Sequence, residues 1–480
     1  MALVPLLVAL WRQAHGPTAS RRTFVLGLLA GASYFVGTLY WTVDVMTMYG
    51  GLSSAAAVPV AGLLVAYLAL YPALFALLLG RLIRVAGARA LLAAPALWVA
   101  AEFARAHVFT GFPWVLLGYS QVRVPSVAQF ASVFGVYGVS ALVTAVNAVV
   151  AYAVAAGWRK AWGAVVAVAA LVALVAGWGA WRVSEGRLLS DGAPLTVGIV
   201  QGNVPQGQKH DPAYATAIFE RYLALSRAAA RRGAGLVVWP ESATPFPFEE
   251  DPAAREAITS LARSAGTWML VGSDQVERGS PDRYYNAAFV VDSEGRHVGT
   301  YRKAHLVPFG EYVPLERFLF FVAPLVESVA SFTAGDPGVV VSVHGRPVSV
   351  AICYEVVFPH LAALSVDRGS QLLITITNDA WYGWSSAPYQ HFEQASMRAI
   401  EQGRYLVRAA NTGVSGIVDP YGRPTMRSAL FEDAMLTGEV RLLAGRTVYG
   451  KIGDSFAWAS VLVALVACFT GSRRATETRP

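Results

Sequence analysis

The chain is poor in charge. Asp, Glu, Lys and Arg make up 14% of its 480 residues, against about 25% in soluble globular domains. With 55% of residues hydrophobic, this excludes a chain that is soluble throughout and points to a membrane. Cysteine is scarcer still, with Cys353 and Cys468 alone. One sits in a stretch of ordinary composition and the other in an apolar block, so they cannot pair. A disulfide framework is excluded and Cys353 reads as a free thiol. Metal-ligand spacing is missing as well: His210, His305, His344, His360 and His391 form no ligand motif. The net charge of +7 does not indicate nucleic acid, because many arginines fall in short gaps between apolar blocks, where they set topology.

The charge deficit is uneven. Residues 1 to about 182 form nearly charge-free blocks, and residues 190–450 have globular composition. A spanning helix needs about 20 apolar residues. Residues 23–41, 54–79, 127–156 and 162–181 meet that length with no charge inside. Residues 89–103 and 456–470 are shorter, and 2–11 is half a span. Counting each block as one crossing, Arg12, Arg21, Arg22, Arg81, Arg84, Arg89, Arg159, Lys160, Arg473, Arg474 and Arg479 all fall on one side. The positive-inside rule makes that side cytoplasmic. The polar region then lies outside, which in a bacterium is extracytoplasmic. The expected organisation is a polytopic membrane domain over 1–190, an extracytoplasmic α/β domain over 191–450, and a final helix with a cytoplasmic tail over 451–480.

Two features of the membrane half stay open. The block 2–11 leaves Met1 outside, which fits either a missing upstream segment or an interfacial stub. "EFARAHVFTGFPWVLLGYSQ" is rich in aromatics, which favour the membrane interface. Its Glu102 is either paired with Arg105 or in contact with substrate.

In the polar half, "LTVGIVQGNV", "GAGLVVWPES", "WMLVGSDQ", "RPVSVAICYE", "QLLITITNDAW", "GRYLVRAANTG" and "SGIVDPYGRP" read as strands. "YNAAFVVDSEG" and "HVGTYRK" read as a hairpin about Ser293-Glu294-Gly295. Helical patterns lie between several of them, so a layered α/β domain is expected. Glu241, Lys303 and Cys353 each follow a strand. Sites form at the carboxyl ends of strands in such sheets. A carboxylate suits a general base, an ammonium an oxyanion partner and a thiolate a nucleophile. A helix start near Pro359 would favour an anion at Cys353. Each residue alone also fits a bland role: Cys353 as a small buried apolar group, Lys303 as surface.

"WPES", "YRKAHLVPFGEYVP", "ICYEVVFP", "NDAWYG" and "RAANTGVSGIVDPYG" together resemble the carbon–nitrogen hydrolase (nitrilase) superfamily. The many apolar helices, "FTGFPWVLLGYSQ" and "RTVYGKIGD" narrow the resemblance to the apolipoprotein N-acyltransferase family. The resemblance implies an αββα sandwich with Glu241 as base, Lys303 as oxyanion partner and Cys353 as nucleophile. It further implies supporting roles for Glu311, Tyr354 and Glu355, and the motif neighbours Trp239 and Trp381 are candidates for the same role. The implied reaction passes an acyl chain from a phospholipid, through a cysteine thioester, to the α-amine of a diacylglyceryl-cysteine at a lipoprotein N-terminus. No cofactor is implied, and a monomer is the default. Trp381, Tyr382 and Trp384 either close the site or simply pack. The family has eight spans where seven are counted here, and His210 stands where it usually has tryptophan. Two other readings remain: a membrane-tethered amidase acting on a small amide, and a binding module without catalysis.

Overall fold

The computed structural model describes residues 1–209, 211–313 and 331–477. His210 and Arg479 lie outside them, as do the side chains of Arg473 and Arg474. Two compact units form. One comprises Met1–Val43, Leu52–Glu185 and Ile452–Pro480, the other Asp44–Gly51 and Gly186–Lys451.

The first unit is helical. Val4–Gln13, Ala19–Leu39, Ser54–Ala86, Ala94–His107, Ala131–Ala156, Trp158–Glu185 and Ser455–Glu477 are its longer helices. Four helical stretches among the described residues are long and apolar enough to cross a membrane. Leu7 and Leu10 of the first helix are fully buried among Phe75, Leu79 and Leu91, so this half-span is part of the packed bundle. Gly27 faces Pro72 and Ala76, where an added Cβ would lie 2.5 Å from Ala76 Cβ. Such small-residue contacts let membrane helices approach closely. Glu102 accepts a hydrogen bond from the Leu117 amide (2.7 Å). Arg105 donates to the carbonyls of Phe112 (2.9 Å) and Trp114 (2.8 Å). Both side chains therefore brace the aromatic Gly-Phe-Pro-Trp loop, where bare backbone groups would be costly.

The second unit is a double sheet. Its strands are β1 (Ala193–Gln201), β2 (Leu236–Val238), β3 (Trp268–Glu277), β4 (Arg283–Val291), β5 (His297–Arg302), β6 (Val340–Val343), β7 (Arg346–Ile352), β8 (Leu373–Thr377), β9 (Leu406–Ala410), β10 (Gly416–Val418), β11 (Pro424–Arg427) and β12 (Ala434–Leu442). One sheet has the order β12-β1-β2-β3-β4-β5, the other β11-β10-β9-β8-β7-β6. Strand periodicity builds the layers, since alternate residues point to opposite faces. Leu236 and Val238 enter the core between the sheets with Ile199, Ile352, Ile374 and Ile376. Val237 and Trp239 point the other way, into a core shared with Pro212–Arg231 and Pro252–Ala265. Pro359–Asp367 and Ala387–Gln402 pack on the second sheet. The result is the expected αββα sandwich.

The hairpin about Ser293 appears as antiparallel β4 and β5. Three strands carry no clear sequence signal. β12 pairs with β1 from Ala193↔Leu442 to Gln201↔Ala434, β6 pairs with β7, and β11 pairs with β10. β6 and β11 are short and β12 is mostly half-exposed, so none shows the apolar run that marks an inner strand.

Ile199 is fully buried between the sheets. Ile199→Ala is expected to cost about 2–5 kcal/mol, whereas Val298→Ala at an exposed position of β5 should fall within about 0.5 kcal/mol of the parent. Thermal and denaturant unfolding of the full chain in detergent checks both.

Candidate active site

The site grows from three strand ends. β2 stops before Trp239-Pro240-Glu241, because proline cannot donate to the ladder. Gly272 of β3 passes directly beneath: an added Cβ would lie 2.0 Å from the Pro240 carbonyl oxygen. Lys303 follows β5, its amide bonded to the Asn286 carbonyl (2.8 Å). Cys353 follows β7 with φ +52°, a left-handed conformation that disfavours any residue with a Cβ. Tertiary contacts hold it there, as is common where function needs strain.

These ends converge. Lys303 is 1% exposed, and its Nζ donates to Glu311 Oε1 (2.8 Å) and Glu241 Oε1 (3.5 Å). Asn286 Nδ2 bridges the same two carboxylates, at 2.7 Å from Glu241 and 3.3 Å from Glu311. The other Glu241 oxygen accepts from the Asn378 amide (2.8 Å), and the other Glu311 oxygen from the Val307 amide (2.7 Å). Glu355 is a buried clamp. It accepts from Tyr301 Oη and from the amides of Ala304, His305 and Ile352, tying the Lys303 loop to the strand that carries Cys353.

Burial pushes Lys303 toward neutrality, but Glu311 and Glu241 outweigh it and raise its pKa above the ordinary lysine value. The carboxylates thus favour the ammonium form. Cys353 goes the other way. Burial and then Glu241 push its thiol up to about 12, against the pull of Lys303. The sequence reading had surroundings that activate a thiolate, helped by a helix start. The resting group is a thiol instead. A short 3-10 turn, Cys353–Val357, separates it from the helix Pro359–Asp367 in sequence, so Cys353 does not itself cap that helix. A buried thiol beside a carboxylate and a fixed ammonium can attack a carbonyl while surrendering its proton.

Comparison with known proteins bears on which carbonyl. Residues 196–448 match the carbon-nitrogen hydrolase family. Residues 1–149 match the apolipoprotein N-acyltransferase N-terminal domain. An apolipoprotein N-acyltransferase of Geobacter metallireducens is 40% identical, over 99% of this chain and 91% of its own length. The chain belongs to the apolipoprotein N-acyltransferase family. A second relative so named, from Methylococcus capsulatus, is 36% identical over 98% of this chain and 92% of its own. A variant of the Nesterenkonia AN1 amidase, of known structure, covers 55% of this chain at 22% identity and TM-score 0.42. As a family member with this set of apolar helices, the protein is a multi-pass membrane acyltransferase.

The remaining family motifs occupy distinct places. Tyr354 is buried with its ring 5.1 Å from that of Phe358. Trp239 does not join the cluster. It is fully buried on the helix side of β2, donates to Ser226 Oγ (2.7 Å) and packs on Tyr222. It supports the site only by anchoring β2. Trp381 is half-buried, with its ring 4.9 Å from Tyr49, whose hydroxyl donates to the Ala380 carbonyl (3.1 Å). Trp384 is 78% exposed and lies against Phe431.

Several polar residues of the site were not singled out from sequence. Asn286 and Asn378 hold the carboxylates, and buried Lys209 donates to the Glu241 carbonyl (3.1 Å). Asn378 and Asp379 stand in the quoted "NDAWYG", and Arg408 in "RAANTG", but a single sequence does not reveal which polar side chains turn inward. Among the described residues no three His, Cys, Asp or Glu side chains group as metal ligands.

Glu241→Gln removes the charge that raises the thiol. The Cys353 pKa should fall, and alkylation by iodoacetamide at pH 9 should speed up. Turnover should drop by about 10²–10⁴-fold if the same carboxylate moves the proton. Mass spectrometry of the Cys353 peptide beside an activity assay separates the two effects.

Proposed function

We propose that the protein takes a fatty acyl chain from a phospholipid onto Cys353 and delivers it to the α-amine of an S-diacylglyceryl-cysteine at a lipoprotein N-terminus. The observation that carries this reading is the meeting of Glu241, Lys303 and the Cys353 strand end in one buried site, in a chain that matches the family along both halves.

In the first half-reaction Glu241 accepts the thiol proton as Sγ attacks the ester carbonyl. Lys303 meets the oxyanion, a fixed charge that needs no reorganisation. Collapse breaks the ester C–O bond, and Glu241 returns the proton to the leaving alkoxide. The products are a lysophospholipid and a thioester. In the second, the neutral α-amine attacks the thioester and gives a proton to Glu241, which passes it to the departing sulfur. The products are an amide and the free thiol. Glu311 keeps Lys303 charged and in place. Glu355 and Tyr354 hold the turn behind the nucleophile. Water must stay out while the thioester waits for its amine, and the aromatic residues near Trp381 suit that task.

Residues 1–190 and 451–480 form the membrane part in this reading, and 191–450 the catalytic domain on the outer face of a bacterial cytoplasmic membrane. The clustering of Arg12, Arg21, Arg22, Arg81, Arg84, Arg89, Arg159 and Lys160 in alternate gaps supports that orientation. A single cysteine placed at Ser293 should react with an impermeant maleimide in intact spheroplasts, and one at Arg159 only after lysis. The opposite pattern inverts the topology.

The central test is intact-protein mass spectrometry after incubation with phospholipid micelles. Expected is a gain of one fatty acyl chain, labile to hydroxylamine and absent from Cys353→Ala. A diacylated lipopeptide with a free α-amine should discharge it, and the N-acetylated lipopeptide should not. Absence of an adduct from phospholipid on folded protein, together with acylation of Cys353 by a small amide and its discharge by water, would shift the assignment to an amidase.

A further inference from the structure

Behind Cys353 lies a buried polar array that the reaction scheme leaves unused. Its members come from four elements. Thr377 ends β8, and Asp379 opens the turn Asp379–Tyr382. His391 sits in the helix Ala387–Gln402, and Arg408 in β9. His391, Asp379 and Arg408 are all fully buried. None of them can meet a substrate directly.

The hydrogen bonds give the array a direction. His391 Nε2 lies 3.1 Å from the carbonyl oxygen of Cys353. A carbonyl only accepts, so Nε2 carries a proton. His391 Nδ1 lies 3.0 Å from both Asp379 Oδ1 and Arg408 Nη2. A neutral ring takes a proton bond from Arg408 there, and a charged ring gives one to Asp379. The bond from Nε2 to Cys353 is the same in either form. Arg408 also binds Asp379 Oδ2 (2.7 Å), which balances the charges of the pair. Asp379 has little freedom to move, since a Cβ on Gly413 would lie 2.3 Å from its Oδ2.

Thr377 Oγ1 donates to Asp379 Oδ1 (2.8 Å), which fixes that carboxylate from β8 as well.

We propose that His391 is a positioning residue: its Nε2–H grips the carbonyl of Cys353 and holds the left-handed backbone that presents the sulfur, while Asp379 and Arg408 lock the ring. A strained residue persists only where its surroundings over-determine it, and this carbonyl bond is one such determinant. The inference rests on the reading of Cys353 as the nucleophile.

The test compares His391→Gln with His391→Asn in the full chain. The Gln amide places an N–H where Nε2 stands, and the Asn amide places one near Nδ1. Two rates are read: acylation of Cys353 by phospholipid in a single turnover, and alkylation of the Cys353 peptide by iodoacetamide. His391→Asn should slow both by about tenfold or more, in line with what small misplacements cost. His391→Gln should return both to within about threefold of the parent, with KM for phospholipid unchanged in each. Equal rates for Gln and Asn, or parental rates in folded Asn protein, would overturn the inference. If the Asn variant does not fold, Asp379→Asn, which removes the charge that locks the ring, takes its place, and parental rates of both reactions there overturn the inference. A parent protein that never acylates would instead defeat the acyl-transfer reading, with the alkylation comparison still deciding the role of His391.

Discussion

The catalytic unit depends on one buried ammonium. Lys303, at the end of β5, sits between Glu241 and Glu311 with almost no exposure to water. Removing such a group from water is expensive, and only close opposite charges offset the cost. The two carboxylates come from different parts of the sheet, so the lysine can be buried with its charge only when β2, β5 and the loop to Glu311 are in place. Folding and the assembly of the site are therefore one event. Asn286 extends the coupling by bridging both carboxylates from β4.

The same electrostatics sets the resting state of the nucleophile. Burial disfavours an anion at the sulfur, and the carboxylates of Glu241 and Asp379 add to this against the pull of Lys303. The thiol keeps its proton, with a pKa raised to about 12. A thiol is a poorer target than a thiolate for oxidants and stray electrophiles. In the proposed scheme reactivity arises only when a carbonyl is in position and Glu241 can take the proton. For an enzyme whose thioester must survive until a lipid-bound amine arrives, a quiet resting state and a dry site serve the same end.

Charge alone does not aim the sulfur. Three backbone constraints do. Cys353 adopts a positive φ at the end of β7. Glu355 gathers the amides of Ile352, Ala304 and His305 on one carboxylate, so the nucleophile turn and the lysine loop move together. His391 holds the Cys353 carbonyl from the helix layer. Each uses a buried polar group whose bonds are met within the protein, as burial demands.

The sequence by itself determined the broad plan. Long uncharged blocks can only be satisfied as helices in lipid. Short apolar runs such as "GLVVW" and "VSVAI", bounded by turn residues, fit inner strands buried on both faces of a layered sheet. The types Glu241, Lys303 and Cys353 at three strand ends bounded the chemistry, and the motifs around them named the family. Tertiary structure decided the rest. It turned Trp239 away from the site, spent Glu102 and Arg105 on a loop backbone, and raised rather than lowered the thiol. It also brought Asn286, Asn378, Asp379, His391 and Arg408 inward from separate strands, turns and helices. The physical reason is common to all of these. Burial, side-chain direction and the field at a charged group depend on which distant strands become neighbours, and no local pattern of residues carries that information.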